Sequence, residues 1–217
     1  MILNKLEFIL MNNPIRAFIQ DNIEARKLRK LSNLPKNKTI LELGCGNGTG
    51  TKLIKKYFSP KEIHAIDLDP RMIHLAKKNV KDPSISFEVA SATKLPFKDN
   101  QFDAVIEFGI IHHIPNWRDC LKELGRVMKP NGELILEDLS VETWKTFLGR
   151  FYKRVLDHPY KQMYTKKEFI THLKRLGFII QYQRTYNPFG LMKYFVLVAK
   201  KKNHLNLNDE NKLRKSK

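Results

Sequence analysis

At 217 residues with a hydrophobic fraction of 42%, the chain has the material for one domain with a sizeable core that folds alone. Its two cysteines, Cys45 and Cys120, exclude a disulfide framework and suit a reducing compartment, and no run of about 18 apolar residues is present to cross a membrane. The 40 Lys and Arg against 22 Asp and Glu leave a formal net charge of +18, which beyond a solvated surface favours anionic company: a phosphate-bearing substrate, an anionic membrane face or RNA.

The first ten residues, MILNKLEFIL, lack the basic cluster and cleavage site of a signal peptide, so a cytoplasmic protein is expected, with peripheral membrane contact left open. Residues 1–36 form a helical segment in which Ile2, Leu3, Leu6, Ile9 and Leu10 share a helical face and Asn13 and Pro14 interrupt it. Glu7, Asp21 and Glu24 dilute the basic face that an interfacial helix needs, so this segment is expected to pack beside the mouth of the site.

From Asn37 onward strands and helices alternate. Strands are predicted over Thr39–Leu43, Glu62–Asp67, Ser86–Ala90, Ala104–Phe108 and Glu133–Asp138, and helices over Gly48–Tyr57, Pro70–Val80 and Asn116–Met128. Such alternation implies an α/β fold with a parallel sheet covered on both faces. Asp69 before Pro70 is a helix N-cap with proline in the first turn, and Asn116 with Asp119 marks another helix start. Residues 140–164 are long for a connection and rich in aromatics, as a lid or substrate insert would be. Thr165 and Glu168 have capping-box spacing before a helix to Leu176 that Gly177 ends, and strands follow over Phe178–Tyr186 and Tyr194–Ala199. The basic tail 201–217 is polar and expected to be disordered.

The stretch that carries chemistry is TILELGCGNGTGT, Thr39 to Thr51. Its glycines Gly44, Gly46 and Gly48 let backbone approach a ligand at the start of a helix, and Asp67 ends the next strand as an acceptor for ribose hydroxyls. A dinucleotide fingerprint would need a third glycine where Thr49 stands, so a nucleoside is favoured over NAD.

Five motifs in order resemble the class I S-adenosylmethionine-dependent methyltransferases: Glu42-x-Gly44-x-Gly46-x-Gly48, AIDLDP from Ala65, SATKLPFKDNQFD from Ser91, EFGIIHHI from Glu107 and LGRVMKPNGELILED from Leu124. The match runs from about Asn37 to Asp138 and is looser through Tyr164 to Lys200. It implies a Rossmann-like, mostly parallel seven-stranded sheet with helices on both faces and an antiparallel last strand, and S-adenosylmethionine as cofactor with S-adenosylhomocysteine as product. It implies Glu42 near the methionine ammonium, the loop Gly44, Cys45, Gly46 and Gly48 against the cofactor, Asp67 on the ribose and Leu68 on the adenine face. Ser91 and Ala92 stand at the adenine amino group, where relatives usually carry an acid. Glu107 and Phe108 lie by the sulfonium and acceptor.

Methyl transfer is an in-line displacement, so holding the acceptor and the methyl group aligned at about 3 Å is the main task. Where a proton must leave, His112 or His113 is a candidate base; His158, Tyr160 and Tyr164 are further candidates. His112 and His113 are sequential in a loop, and Asp67 and Asp69 have roles in ribose binding and capping, so no metal site is expected. The long spacing and the LPF motif look most like the quinone, sterol and phospholipid-headgroup branch, hence a small lipid-like or anionic acceptor. Two alternatives remain: an RNA or protein methyltransferase using the basic surface, and a non-catalytic S-adenosylmethionine-binding sensor or subunit.

Overall fold

The computed structural model describes residues 18–155 and 159–203. The apolar face of Ile2 to Leu10, the candidate base His158 and all but the first three residues of the predicted tail lie outside the described residues.

Seven strands form one sheet in the order β3-β2-β1-β4-β5-β7-β6. They are β1 (Thr39–Leu43), β2 (Glu62–Asp67), β3 (Ile85–Val89), β4 (Phe102–Phe108), β5 (Met128–Asp138), β6 (Phe178–Tyr186) and β7 (Tyr194–Lys201). The first five run parallel; β7 inserts antiparallel between β5 and β6, and β6 pairs with β7 alone. All five residues of β1 are buried, as expected of a central strand covered on both faces. Its alternate side chains therefore feed two cores.

Ile40, with Ile63, Ile106 and Val196, packs under α1 (Arg26–Leu31), α2 (Thr49–Phe58) and α3 (Pro70–Asn79) through Leu28, Ile54, Phe58 and Ala76. Leu41 and Leu43, with Val105, Leu134 and Leu197, pack against α4 (Trp117–Val127) and α6 (Lys166–Arg175) through Leu121, Leu124, Phe169 and Leu173. Each such fully buried side chain contributes roughly 1.5–3 kcal/mol, so these two layers hold the sheet rigid and fix the loops at its edge. A further helix, α5 (Phe147–Val155), follows a 3₁₀ turn at Thr143–Lys145.

Local signals act as their chemistry predicts. Asp69 caps α3 by accepting from the Arg71 N–H at 2.9 Å. Thr165 and Glu168 form a complete capping box on α6, and Gly177 beyond it has φ 85°. Asn116 precedes α4 but makes no side-chain cap bond, its main-chain carbonyl accepting from Asp119 instead. Three strands start earlier than the pattern indicates: β3 by one residue, at Ile85, and β4 and β5 together, where Phe102 pairs with Met128 ahead of the Ala104–Glu133 pair and residues 129–132 bulge out opposite Asp103. Preceding α1, Gln20–Ala25 is wound as a π-helix, whose wider turn has no counterpart in the sequence periodicity.

Candidate active site

The strand order reverses between β1 and β4, and the carboxyl ends of these strands leave a crevice there. The loop Gly44–Gly48 closes it from one side. The Cys45 N–H donates to the Ile66 carbonyl at 2.9 Å, tying the loop to β2, and burial pushes the Cys45 thiol well up, so it stays a neutral packing group. Gly44 has φ 71°, and a Cβ there would lie 2.4 Å from Cγ1 of Ile110. Gly46 has φ 53°, and a Cβ on it would meet nothing within 4 Å. The first glycine is required by protein packing; the second faces open space.

Asp67 holds this open loop in place. Its Oδ2 accepts from the Gly46 N–H and its Oδ1 from the Asp69 N–H, each at 2.9 Å. Each carboxylate oxygen has a second lone pair left for a ligand. Burial raises the Asp67 pKa, and the two amide donors pull the other way.

Beside it lies a cavity of about 210 Å³. Gly44, Asp67, Leu68, Ser91, Ala92 and His113 contribute to its wall, and Leu43, Ile66, Ile110 and Ile114 supply an apolar lining. Leu68 is 42% exposed, turned away from both cores. The Ser91 hydroxyl sits 2.9 Å from that of Thr93 and accepts the Thr93 N–H at 3.3 Å, so it is engaged in its own turn.

Glu42 does not reach the cavity wall. It is buried on the α2 face, where the Thr51 hydroxyl donates to its Oε2 at 2.5 Å. A Cβ on Gly50 would collide with Glu42 Oε1 and come within 3.3 Å of Gln20 Nε2, so the missing side chain at 50 makes room for both. Burial, with the Asp67 charge adding to it, pushes the Glu42 carboxyl up to about 8. Phe108 packs at the margin of the same core and also stays off the wall.

A second cluster joins β4, the 3₁₀ turn Ile111–His113 and β5. Glu107 is fully buried and accepts from the Ile110 N–H at 2.7 Å; burial and then the neighbouring Asp138 charge raise its pKa well above the usual carboxylate range. Asp138, at the end of β5, collects donors from three segments. It accepts from the His112 N–H at 3.1 Å, the Leu139 N–H at 2.7 Å and the Tyr164 hydroxyl at 2.6 Å, and its Oδ1 lies 2.5 Å from His112 Nδ1. The His112 and His113 rings lie 4.0 Å apart. Buried this way, His112 is an anchored member of the network, whereas His113 meets the cavity.

The fold thus brings Gly44, Asp67, Leu68, Ser91, Ala92 and His113 around one hollow, with Gly46 tied to Asp67 beside it, and sets Glu42, Glu107, Phe108 and His112 off its wall or behind it. Asp138, Thr51 and Gln20 contact these residues without having been singled out from the sequence. Asp138 had one readable signal: like Glu42 and Asp67, it is an acid near the carboxyl end of a parallel strand. Of the aromatic candidates, Tyr164 is buried on Asp138 and Tyr160 packs edge-on against Trp144 at 5.1 Å.

Comparison with known proteins bears on the fold that carries this geometry. Residues 41–136 match the family model described as a methyltransferase domain. A phthiotriol/phenolphthiotriol dimycocerosates methyltransferase of Mycobacterium leprae is 35% identical over 102 residues, which are 47% of this chain and 38% of that protein. A demethylmenaquinone methyltransferase of Thermotoga maritima is 31% identical over 141 residues, 64% of this chain and 60% of that protein. The chain therefore spans less than two thirds of the length of these relatives. Among solved structures, a chain of the complex between the Haloferax volcanii Trm112 methyltransferase activator and the putative methyltransferase superposes with a TM-score of 0.74 at 16% identity, covering 91% of this chain and 98% of that one, which is a likeness of fold. Residues 41–136 thus match the methyltransferase-domain family, and the seven-stranded order and the glycine loop tied to Asp67 are the arrangement that the resemblance to class I S-adenosylmethionine-dependent methyltransferases implies.

Proposed function

We infer that the chain transfers a methyl group from S-adenosylmethionine to a small, lipid-like acceptor. The observation that carries this reading is the pairing of an open glycine backbone at Gly46 with the Asp67 carboxylate, beside a largely apolar cavity at the point of strand-order reversal. When bound there, S-adenosylmethionine supplies an electrophilic methyl group on a cationic sulfur. The residues present fit it: Asp67 keeps lone pairs for two ribose hydroxyls, Leu68 and Ile114 offer apolar surface to a base, and Ala92 with Ser91 borders the same wall. Glu42, uncharged while buried, provides a latent anion for an ammonium arriving at the glycine loop.

On the acceptor side, His113 is the imidazole that meets the cavity, so it takes the acceptor's proton where one must leave. His112 acts as a positioning residue, held by Asp138, and Glu107 shapes the turn through Ile110. Residues 140–164 serve as the acceptor-recognition insert, and the π-helical segment Gln20–Ala25 covers the Glu42 end through Gln20. Relatives named for demethylmenaquinone and for phthiotriol dimycocerosates support an apolar acceptor.

Calorimetry with S-adenosylhomocysteine, followed by transfer of labelled methyl into a lipid extract, tests the reading. Asp67→Ala should weaken binding by about 1–3 kcal/mol through loss of a partly buried charged acceptor. Unchanged affinity removes the ribose assignment, and tight binding without transfer into lipid, RNA or metabolite fractions leaves a sensor in place of an enzyme.

A further inference from the structure

The edge of the sheet that carries the cavity also carries an exposed surface of unusual composition. Because β7 runs antiparallel to β5, with Phe195 opposite Asp138, residues 187–193 leading into β7 emerge at the same edge as the end of β5. The chain leaving Asp138 passes through the 3₁₀ turn Thr143–Lys145 into α5, and the Thr143 hydroxyl donates to the Lys193 carbonyl at 2.6 Å. That bond fastens the two segments side by side.

Both segments present large aromatic side chains to solvent. Phe189 is 95% exposed, Phe147 71% and Phe151 58%. Phe147 and Phe151 are four residues apart on α5 and so share one face. Phe189 sits at φ 52° and ψ 20°, a left-handed conformation that a bulky aromatic adopts only at a cost. A strained loop that lifts a phenyl ring into water gains nothing from the water; it gains when the ring enters an apolar phase.

The charge carried by these two segments has a single sign. Lys145, Arg150, Lys153 and Arg154 are exposed beside Phe147 and Phe151, and neither residues 143–155 nor residues 178–203 contain an Asp or Glu. Rings at projecting tips with cations between them complement a surface that is apolar in depth and anionic at its face. In that arrangement the rings reach the acyl region while the long basic side chains remain at the phosphates. Nucleic acid would be met by the same cations and could stack a base on an exposed ring, so RNA retention is measured beside vesicle binding.

We propose that α5 and the 187–193 loop form a docking surface for an anionic phospholipid bilayer, seated at the sheet edge that holds the cavity. This goes beyond the methyl-transfer reading and does not rest on it, since docking is measured without turnover. The full chain is mixed with vesicles of phosphatidylcholine alone, or with one third phosphatidylglycerol, and sedimented; binding is expected only to the anionic vesicles. The two native tryptophans, Trp117 and Trp144, are 2% and 6% exposed, so an indole introduced by Phe189→Trp reports on the tip, and its emission should shift to the blue and be quenched by brominated acyl chains. A triple variant F147S/F151S/F189S should partition at least tenfold less, with its circular dichroism, melting temperature and S-adenosylhomocysteine affinity unchanged. No binding to anionic vesicles, equal binding by the triple variant, or an indole at 189 still open to an aqueous quencher on the vesicle each overturns the proposal. So does loss of RNA retention in the triple variant with vesicle binding intact.

Discussion

Gly44 and Gly46 share a left-handed backbone and differ in what surrounds them, so the same substitution separates their roles. An alanine at 44 pairs an unfavourable φ of 71° with a Cβ placed 2.4 Å from Ile110, and Ile110 cannot retreat without disturbing the turn that Glu107 holds. Strain and overpacking together cost roughly 2–5 kcal/mol of stability. An alanine at 46 has only the strain, about 1–2 kcal/mol, because no protein atom lies within 4 Å of its Cβ. It does, however, put a methyl group into the space assigned to the cofactor. Thermal denaturation should therefore rank Gly44→Ala as the less stable variant, while calorimetry should rank Gly46→Ala as the weaker binder of S-adenosylhomocysteine, by more than tenfold. A Gly46→Ala protein that binds normally would show that the open space is not the binding cradle.

Among the elements, the far end of the connection after β5 is tied back to the end of that strand by Tyr164. Tyr164 ends the insert immediately before the α6 capping box, packs its ring against Trp117 and Phe169, and donates its hydroxyl to Asp138 at 2.6 Å. Tyr164→Phe keeps the ring and removes the donor, leaving the buried carboxylate with one fewer partner, which costs about 1.5–3 kcal/mol. Chemical denaturation should show that loss, and S-adenosylhomocysteine affinity should stay unchanged because Tyr164 is not part of the cavity wall. An unaltered midpoint would mean the bond is not made in solution. The helices and strands around this hub were readable in the chain, since their signals are local: β1 and β2 have the predicted ends, and Thr165, Glu168 and Gly177 punctuate α6 as their chemistry requires. The hub was not readable. Asp138 lies 26 residues from both His112 and Tyr164, and only the register of β5 beside β4 and the return of the insert bring the three together. Glu42 shows the same limit, because its residue type was visible whereas its cover by Thr51 and Gln20 arises from helix packing.

For the whole molecule, the strong positive charge and the buried acids act on different parts of the pH scale. Lysine and arginine keep the +18 surface nearly constant between about pH 7 and 9, and physiological salt screens it beyond about 8 Å. Asp82, drawn down to about 2 mainly by hydrogen bonds from Ser84 with help from Lys55, affects stability only in acid. The fall in stability toward alkaline pH is therefore set by acids whose folded pKa is raised, while His172, held below its usual value by burial, acts in the opposite direction on the acid side of neutrality. Glu42, at about 8 when folded against an ordinary value of 4.5, binds more proton in the folded state, and Glu107 is raised in the same direction. Their stabilisation is present below the unfolded pKa and is lost as pH climbs through the folded one, by up to about 1.4 kcal/mol per pH unit for each group. Denaturant titrations of the wild type should thus lose stability between about pH 5.5 and 8.5. Glu42→Gln, which keeps an acceptor for Thr51 but cannot ionise, should flatten the curve and exceed the wild type at pH 9. The ligand completes the linkage: an ammonium brought to the glycine loop favours the Glu42 carboxylate, so S-adenosylhomocysteine should release up to one proton on binding near pH 7. Calorimetry in buffers of different ionisation enthalpy measures that release, and Glu42→Gln should abolish it. A wild-type stability curve that is flat across this range, or binding with no proton release, would show that Glu42 is ionised before any ligand arrives.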